Sequence, residues 1–471
     1  MGFRDVFRAV RPALIAVAVV SGLLAFVARL VILGTGRVNI WEATSVLFAF
    51  QSPRELLRSL AYDVHPPLFF LIGAIWVKLF GAAPLSLRLF GGVCSGLLAA
   101  TAAATSWYLS EAGEDRRVLS ALTAGLYAAL SPAAVASTGL FRMYGLTALV
   151  ALLLFWCAVV VVKRPSRGGL IGIAVLGATL GYLHYVGVML CVALLCAWLW
   201  TAPARAKTRW RVAAAIAFAW TIFWAPWAFT VARQTAGYYE AAPATDTLVA
   251  VAQSLCYWLI GFREAPATLA VPATLLAAVL FLVLIRRAGP SRLVLGGAAV
   301  GAVLLTTSAL LLQPIVTDPR FWGPIMLLAV VGTTATLAKR AFGLQLVASG
   351  ILLATQLLGL LHTPPQLEWV GARRKLLVMQ FASRGVPVTL VARPAEAVML
   401  EYHRRLRGSD NVRIFCLTEM AASRHEPQRA ALPRDSWVTY DDIQTLEPPI
   451  YLVQSGRALP WTPGQGDRPI P

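Results

Sequence analysis

Carboxylates are scarce in this chain. Against 41 Lys and Arg there are 22 Asp and Glu in 471 residues. Upstream of His362 the acids are only Asp5, Glu42, Glu55, Asp63, Glu111, Glu114, Asp115, Glu240, Asp246, Glu264 and Asp318. The six cysteines, Cys94, Cys157, Cys191, Cys196, Cys256 and Cys416, show no C-x-x-C spacing and five lie in apolar runs. They read as packing residues rather than metal ligands or a disulfide framework. No glycine-rich phosphate loop follows any expected strand, which speaks against a complete nucleotide-binding domain. No internal repeat is visible either, and that weakens a secondary-transporter reading.

What the chain has is apolar sequence, 58% of it, with only 13% charged residues. That balance belongs to a polytopic membrane protein. A spanning helix needs about 20 apolar residues. Candidate runs fall near 12–34, 67–81, 88–109, 118–136, 143–162, 169–182, 184–201, 210–229, 267–285, 293–312, 321–338 and 342–361. An all-α membrane protein of about eleven to thirteen transmembrane helices is expected. Arg4, Arg8 and Arg11 precede a first run too long for a cleaved signal, so it reads as an uncleaved anchor with a cytoplasmic N-terminus. The net charge of +19 does not call for a nucleic-acid partner, because the cations form no stripe. They sit at helix ends and short loops, as in Lys163-Arg164, Arg205 to Arg211, Arg286-Arg287 and Lys339-Arg340, the pattern of a cytoplasmic face against anionic lipid.

Composition shifts at Thr363-Pro364-Pro365, dividing a membrane domain, 1–362, from a small soluble α/β domain, 363–471. In the latter, Val386–Ala392, Val412–Cys416 and Ile450–Val453 read as strands and Pro394–Leu406 as a helix opened by proline. A loop over residues 35–66 carries two short amphipathic segments, Trp41–Phe50 and Pro53–Leu60. Another, over 230–266, holds Tyr238-Tyr239-Glu240 and a half-apolar helix near Leu248–Ile260.

Glu42 and Asp63 bracket the first loop. If its helices fold back, one carboxylate can accept a proton while the other holds a metal or phosphate partner; alternatively each is a solvated loop acid or a helix-start residue. His65 precedes a Pro-Pro step that stiffens its backbone, useful for a fixed ring and equally compatible with a structural hydrogen bond. Arg142 and Arg320 begin apolar helices, where a guanidinium either clamps phosphate or snorkels to headgroups, and Asp318 is placed to pair with Arg320. His184-Tyr185 falls inside a long apolar stretch, where polar groups normally face a cavity or a partner.

In order and spacing, D-V-H-P-P-L at Asp63–Leu68, W-x-x-L-F-G at Trp76–Gly81, L-R-L at Leu87–Leu89, R-M-Y-G-L at Arg142–Leu146 and L-H-Y at Leu183–Tyr185 resemble the protein O-mannosyltransferase and aminoarabinose-transferase group. These are family 39 glycosyltransferases of the GT-C membrane fold. The resemblance covers residues 36–330. It implies an integral protein of the plasma (inner) membrane that transfers a sugar from a polyprenyl-phosphate donor to a lipid, glycan or protein acceptor hydroxyl, with inversion, on the extracytoplasmic face. It implies Glu42 or Asp63 as base, with Glu42, Asp63 and His65 as candidate ligands of a divalent metal ion. Arg142, Arg320 and His65 would serve the phosphate, and Tyr144, His184 and Tyr185 would line the pocket. The chain departs from the family's pattern at Trp41, which stands where the first acid of an Asp-Glu pair is expected, and at Leu140, two residues before Arg142. An alternative is a catalytically degenerate protein that binds or moves a lipid-linked glycan.

Overall fold

The computed structural model describes residues 12–34, 38–61, 63–201, 206–235, 244–263, 265–311, 317–362, 378–379, 381–382, 387–417, 431–432, 436–438, 446, 449–454 and 457–460. The N-terminal arginines and Tyr238-Tyr239-Glu240 lie outside that set. In chain order the helices are α1 Pro12–Leu33, α2 Ile40–Ala49, α3 Pro53–Leu60, α4 Leu68–Phe80, α5 Pro84–Leu109, α6 Glu114–Leu130, α7 Pro132–Thr138, α8 Met143–Lys163, α9 Arg167–Leu183 and α10 Tyr185–Thr201. They continue with α11 Ala206–Thr235, α12 Ala244–Ile260, α13 Ala267–Arg286, α14 Arg292–Leu311, α15 Pro319–Leu337 and α16 Phe342–His362. A sheet with one helix follows: β1 Val388–Ala392, α17 Pro394–Arg407, β2 Val412–Leu417, β3 Trp437–Val438, β4 Ile450–Gln454 and β5 Arg457–Pro460. Contacts divide the chain into one unit of residues 1–34, 88–229 and 239–366, and a second of residues 35–87, 230–238 and 367–471. The loop 35–66 thus groups with the C-terminal residues.

The first unit is the membrane-spanning bundle. Among the described residues eight helices are long and apolar enough to cross a bilayer, nine if α6 and α7 count as one span bent by 59°. The bend comes from Pro132, which has no N–H to continue the helix and keeps Ser131 extended, at φ −57° and ψ 127°. Helices α9 and α10, 17 residues each, form an antiparallel hairpin turning at His184, as the 3.6 Å contact between Cys191 Sγ and Gly177 O records. These two are shorter than the eight; with them the described residues hold ten apolar helices of the bundle, or eleven with the bent pair, against the eleven to thirteen expected.

Chain direction sorts the charges. Arg116 donates to Arg340 O at 3.0 Å, Lys339 pairs with Glu111 at 2.6 Å, and Lys163 Nζ stands 4.6 Å over the Tyr108 ring. These contacts gather the α5–α6 and α15–α16 turns and the end of α8 at one end of the unit. The first residues of α8, α10 and α15 lie at the other.

Arg29 explains how the bent span survives in an apolar bundle. It is fully buried, and its guanidinium donates to Ala129 O, to Ala128 O at 3.0 Å and to Thr138 Oγ1 at 3.1 Å. Those carbonyls end α6, where no following turn can bond them, and unsatisfied backbone groups are costly in a bilayer. Thr138 in turn meets Ser95 Oγ at 2.9 Å.

The second unit holds a five-stranded sheet in the order β3-β2-β1-β4-β5, parallel except for the β4–β5 pair. The three expected strands and the proline-started helix appear within two residues of their sequence boundaries. Strands β3 and β5 were not foreseen: β3 is too short to show a period, and β5 runs into proline. Helix α17 packs on α2, and Tyr402 Oη donates to Ala82 O at 3.0 Å. Of the two segments expected to be amphipathic in the 35–66 loop, α3 is so, with Leu56 and Leu60 buried beneath exposed Arg54, Glu55 and Arg58, whereas every residue of α2 from Glu42 to Ala49 is buried.

Candidate active site

In the second unit, α2 opens with a capping box. Asn39 Oδ1 accepts from Glu42 N at 2.9 Å, and Glu42 Oε2 accepts from Asn39 N at 3.2 Å. Glu42 is fully buried, so one carboxylate oxygen has a structural duty at the helix start. Asp63 is 1% exposed, and its Oδ2 faces His65 Nδ1 at 3.1 Å. A carboxylate only accepts, so Nδ1 is the donor. Pro66-Pro67 and the start of α4 hold the imidazole against Phe70, with ring centroids 6.3 Å apart. Asp63 Oδ1 is buried and has no hydrogen-bond partner among the described residues. A polar oxygen left so costs about 1–3 kcal/mol, more for a charged group, unless a ligand uses it.

In the first unit, three helix starts converge. Tyr144 in the first turn of α8, His184 at the α9–α10 turn and Phe321 in the first turn of α15 have mutual ring-centroid distances of 5.6, 5.9 and 5.2 Å. His184 Nδ1 accepts from Val186 N at 3.1 Å, which leaves the ring proton on Nε2. Arg320 is gripped side-on by Asp318, Nε to Oδ1 at 2.9 Å and Nη2 to Oδ2 at 2.8 Å, and its guanidinium carbon stands 5.4 Å from the Tyr144 ring centroid. Both contacts fix the planar fork while leaving Nη1 outside the Asp318 pair. Arg142, 3% exposed, is the N-cap residue of α8, two positions before Tyr144. Tyr185 is engaged elsewhere, its hydroxyl accepting from Trp227 Nε1 at 3.1 Å. Phe321 went unnoticed in the sequence because aromatics at a helix mouth ordinarily mark headgroup level. Arg29 was missed too, although a lone arginine inside the α1 run is itself a signal.

No group of three or more His, Cys, Asp or Glu side chains suited to a metal ion occurs among the described residues. Asp63 and His65 supply two donors that face each other, fewer than a divalent cation ordinarily draws from protein.

The architecture is that of GT-C membrane enzymes. The chain superposes on ArnT from Cupriavidus metallidurans bound to undecaprenyl phosphate with a TM-score of 0.56 and 12% identity, covering 92% of this chain and 90% of that one. The Archaeoglobus fulgidus oligosaccharyltransferase, in complex with Zn and sulfate, gives a TM-score of 0.51 at 12% identity over 84% of this chain and 62% of that one. A complex of the archaeal oligosaccharyltransferase AglB from the same organism with an inhibitory peptide and a dolichol-phosphate gives 0.50 at 9% identity over 83% and 63%. Likeness at such identities is one of fold. Neither a protein-family profile nor a curated protein matches the sequence.

Proposed function

We propose that this integral membrane protein is a glycosyltransferase of the family 39 type. In this reading it moves a sugar from a polyprenyl-phosphate donor to a hydroxyl of a lipid, glycan or protein acceptor, with inversion. The observation that carries the reading is the buried Oδ1 of Asp63, without a hydrogen-bond partner among the described residues, beside a histidine-paired Oδ2. The shared fold supports it, since the ArnT and AglB structures hold undecaprenyl phosphate and a dolichol-phosphate.

The acceptor hydroxyl oxygen attacks the anomeric carbon and forms the new C–O bond. Its proton passes to Asp63 Oδ1, and the glycosyl–phosphate bond breaks with its electron pair leaving on the polyprenyl phosphate. One displacement inverts the anomeric carbon. Base catalysis of this kind contributes a factor of about 100 to 10,000. In the first unit Arg320, fixed by Asp318, and Arg142 are the cations suited to a phosphate, with Tyr144 and His184 beside Arg320 and Phe321; in the second, Glu42 serves through its place at the start of α2. The clustering of Arg116, Lys163, Lys339 and Arg340 at one end of the bundle favours a cytoplasmic location for that end. Arg142, His184 and Arg320 then belong to the extracytoplasmic face, in the plasma (inner) membrane.

The test is sugar transfer by purified full-length protein from a panel of undecaprenyl-phosphate sugars. Donor-dependent transfer that Asp63→Asn abolishes supports the proposal; undiminished transfer by Asp63→Asn overturns the assignment of the base. Trp41 and Leu140, apolar where the family carries acids, favour a second reading, binding without transfer. Tight binding of the lipid-linked sugar with no transfer across the panel would decide for it.

A further inference from the structure

A cleft of about 240 Å³ lies in the second unit between the last turn of α17 and β2. Among the described residues β3 pairs with β2 at Cys416 and Leu417, beyond the cleft's strand residues Val412–Phe415. Polar side chains from Glu401, Arg404, Arg405, Asp410, Arg413 and Ser436 line it, together with apolar walls that include Phe415 and Leu432. Glu401 organises the polar side. Its side chain is 6% exposed and takes Arg404 through both oxygens, at 2.7 and 2.8 Å, and Arg405 Nε at 2.6 Å. The hydrogen bonds that Arg404 donates to Glu401 also hold its guanidinium above the ordinary pKa.

One carboxylate cannot saturate two guanidiniums, each with five N–H donors. Both arginine side chains remain partly open, 23% and 30% exposed, while their orientation is already fixed. Cations in a last helical turn complement the helix dipole, which accounts for the charge alone. It does not account for a buried acid clamping two forks beside a cleft, apolar on one wall, that a third arginine lines from the strand. Asp410 approaches Arg404 only at 3.9 Å and is 99% exposed, so it competes weakly.

We propose that this cleft binds an amphipathic oxyanion, a carboxylate or phosphate carried on a small apolar or ring-shaped body. The anionic group meets Arg404, Arg405 and Arg413, and the body lies against Phe415 and Leu432. The site lies outside the catalytic residues assigned above and does not depend on them.

Isothermal titration of full-length protein in detergent, at constant ionic strength, tests it with phenyl phosphate, benzoate and phenol. Phenyl phosphate or benzoate binds measurably and phenol does not. Arg413→Gln and Arg405→Gln each weaken binding about tenfold, with the far-ultraviolet circular dichroism unchanged. Arg320→Gln leaves it intact. The proposal is overturned if phenol binds as well as the two anions, if neither anion binds, if folded Arg413→Gln and Arg405→Gln bind undiminished, or if Arg320→Gln removes the binding.

Discussion

His65 Nδ1 stands 3.1 Å from Asp63 Oδ2, and the pair is locked by the two prolines that follow. An imidazole donating to one carboxylate oxygen orients the carboxyl group and turns the other oxygen toward what it is to bind. His65→Leu therefore lowers the turnover number about 10- to 100-fold. His65→Gln, which keeps an N–H donor, recovers part of it. Steady-state transfer assays at saturating donor measure both.

Arg320 is held as a fork by Asp318. Asp318→Asn weakens that grip, and Arg320→Lys keeps the charge but loses the bidentate geometry. Each raises the KM for the lipid-linked donor about tenfold, with a smaller change in turnover. A KM left at the wild-type value in both variants would remove Arg320 from phosphate binding.

Glu42 is bound into the cap of α2. Glu42→Gln keeps an acceptor oxygen for Asn39 N and retains most of the transfer activity, whereas Asn39→Ala removes the cap and destabilises the protein by about 1 kcal/mol. The comparison of thermal midpoint with activity for the two variants distinguishes a structural from a chemical duty of this acid.

Arg29→Leu leaves the carbonyls of Ala128 and Ala129 and the Thr138 hydroxyl without their donor inside the bundle. Loss of several such bonds costs on the order of 3–5 kcal/mol. A clear fall in the thermal midpoint in detergent is expected, and Arg29→Lys falls less because it keeps the charge and some donors.

Glu55 sits below the ordinary carboxylate range, first through the Ser52 hydroxyl at 2.7 Å and then through the Ser52 amide. A depressed carboxylate contributes stability above its unfolded pKa, and that contribution is lost as the pH falls through the folded value. Protection of the Ser52 amide against hydrogen exchange is therefore greater at about pH 6 than at about pH 3. Glu55→Gln loses the difference.

Hydropathy and proline positions placed most helices in advance, because a spanning run and its breakers are local features; the limits of α5, α6, α11 and α12 lie four to six residues from the expected ones, and the run 118–136 is broken at Ser131 into α6 and α7. The small sheet was read from β1, β2 and β4, whose apolar runs are long enough to show; β3, with two residues, carries no period. Within the site, Asp63 and His65 were legible as a pair because they are two residues apart. Phe321 was not, since nothing near it in the chain announces Tyr144 or His184.

The amino-acid order alone determined that this protein crosses a membrane many times, where its cations gather, and which few acids are left for chemistry. Only the tertiary structure decided that the starts of α8, α10 and α15 share one aromatic cluster, that Arg29 finishes a helix about a hundred residues away, and that α17 covers α2. Transfer free energy acts on each segment separately and so is written in the sequence. Which segments touch depends on side-chain packing between helices, and no local pattern encodes that.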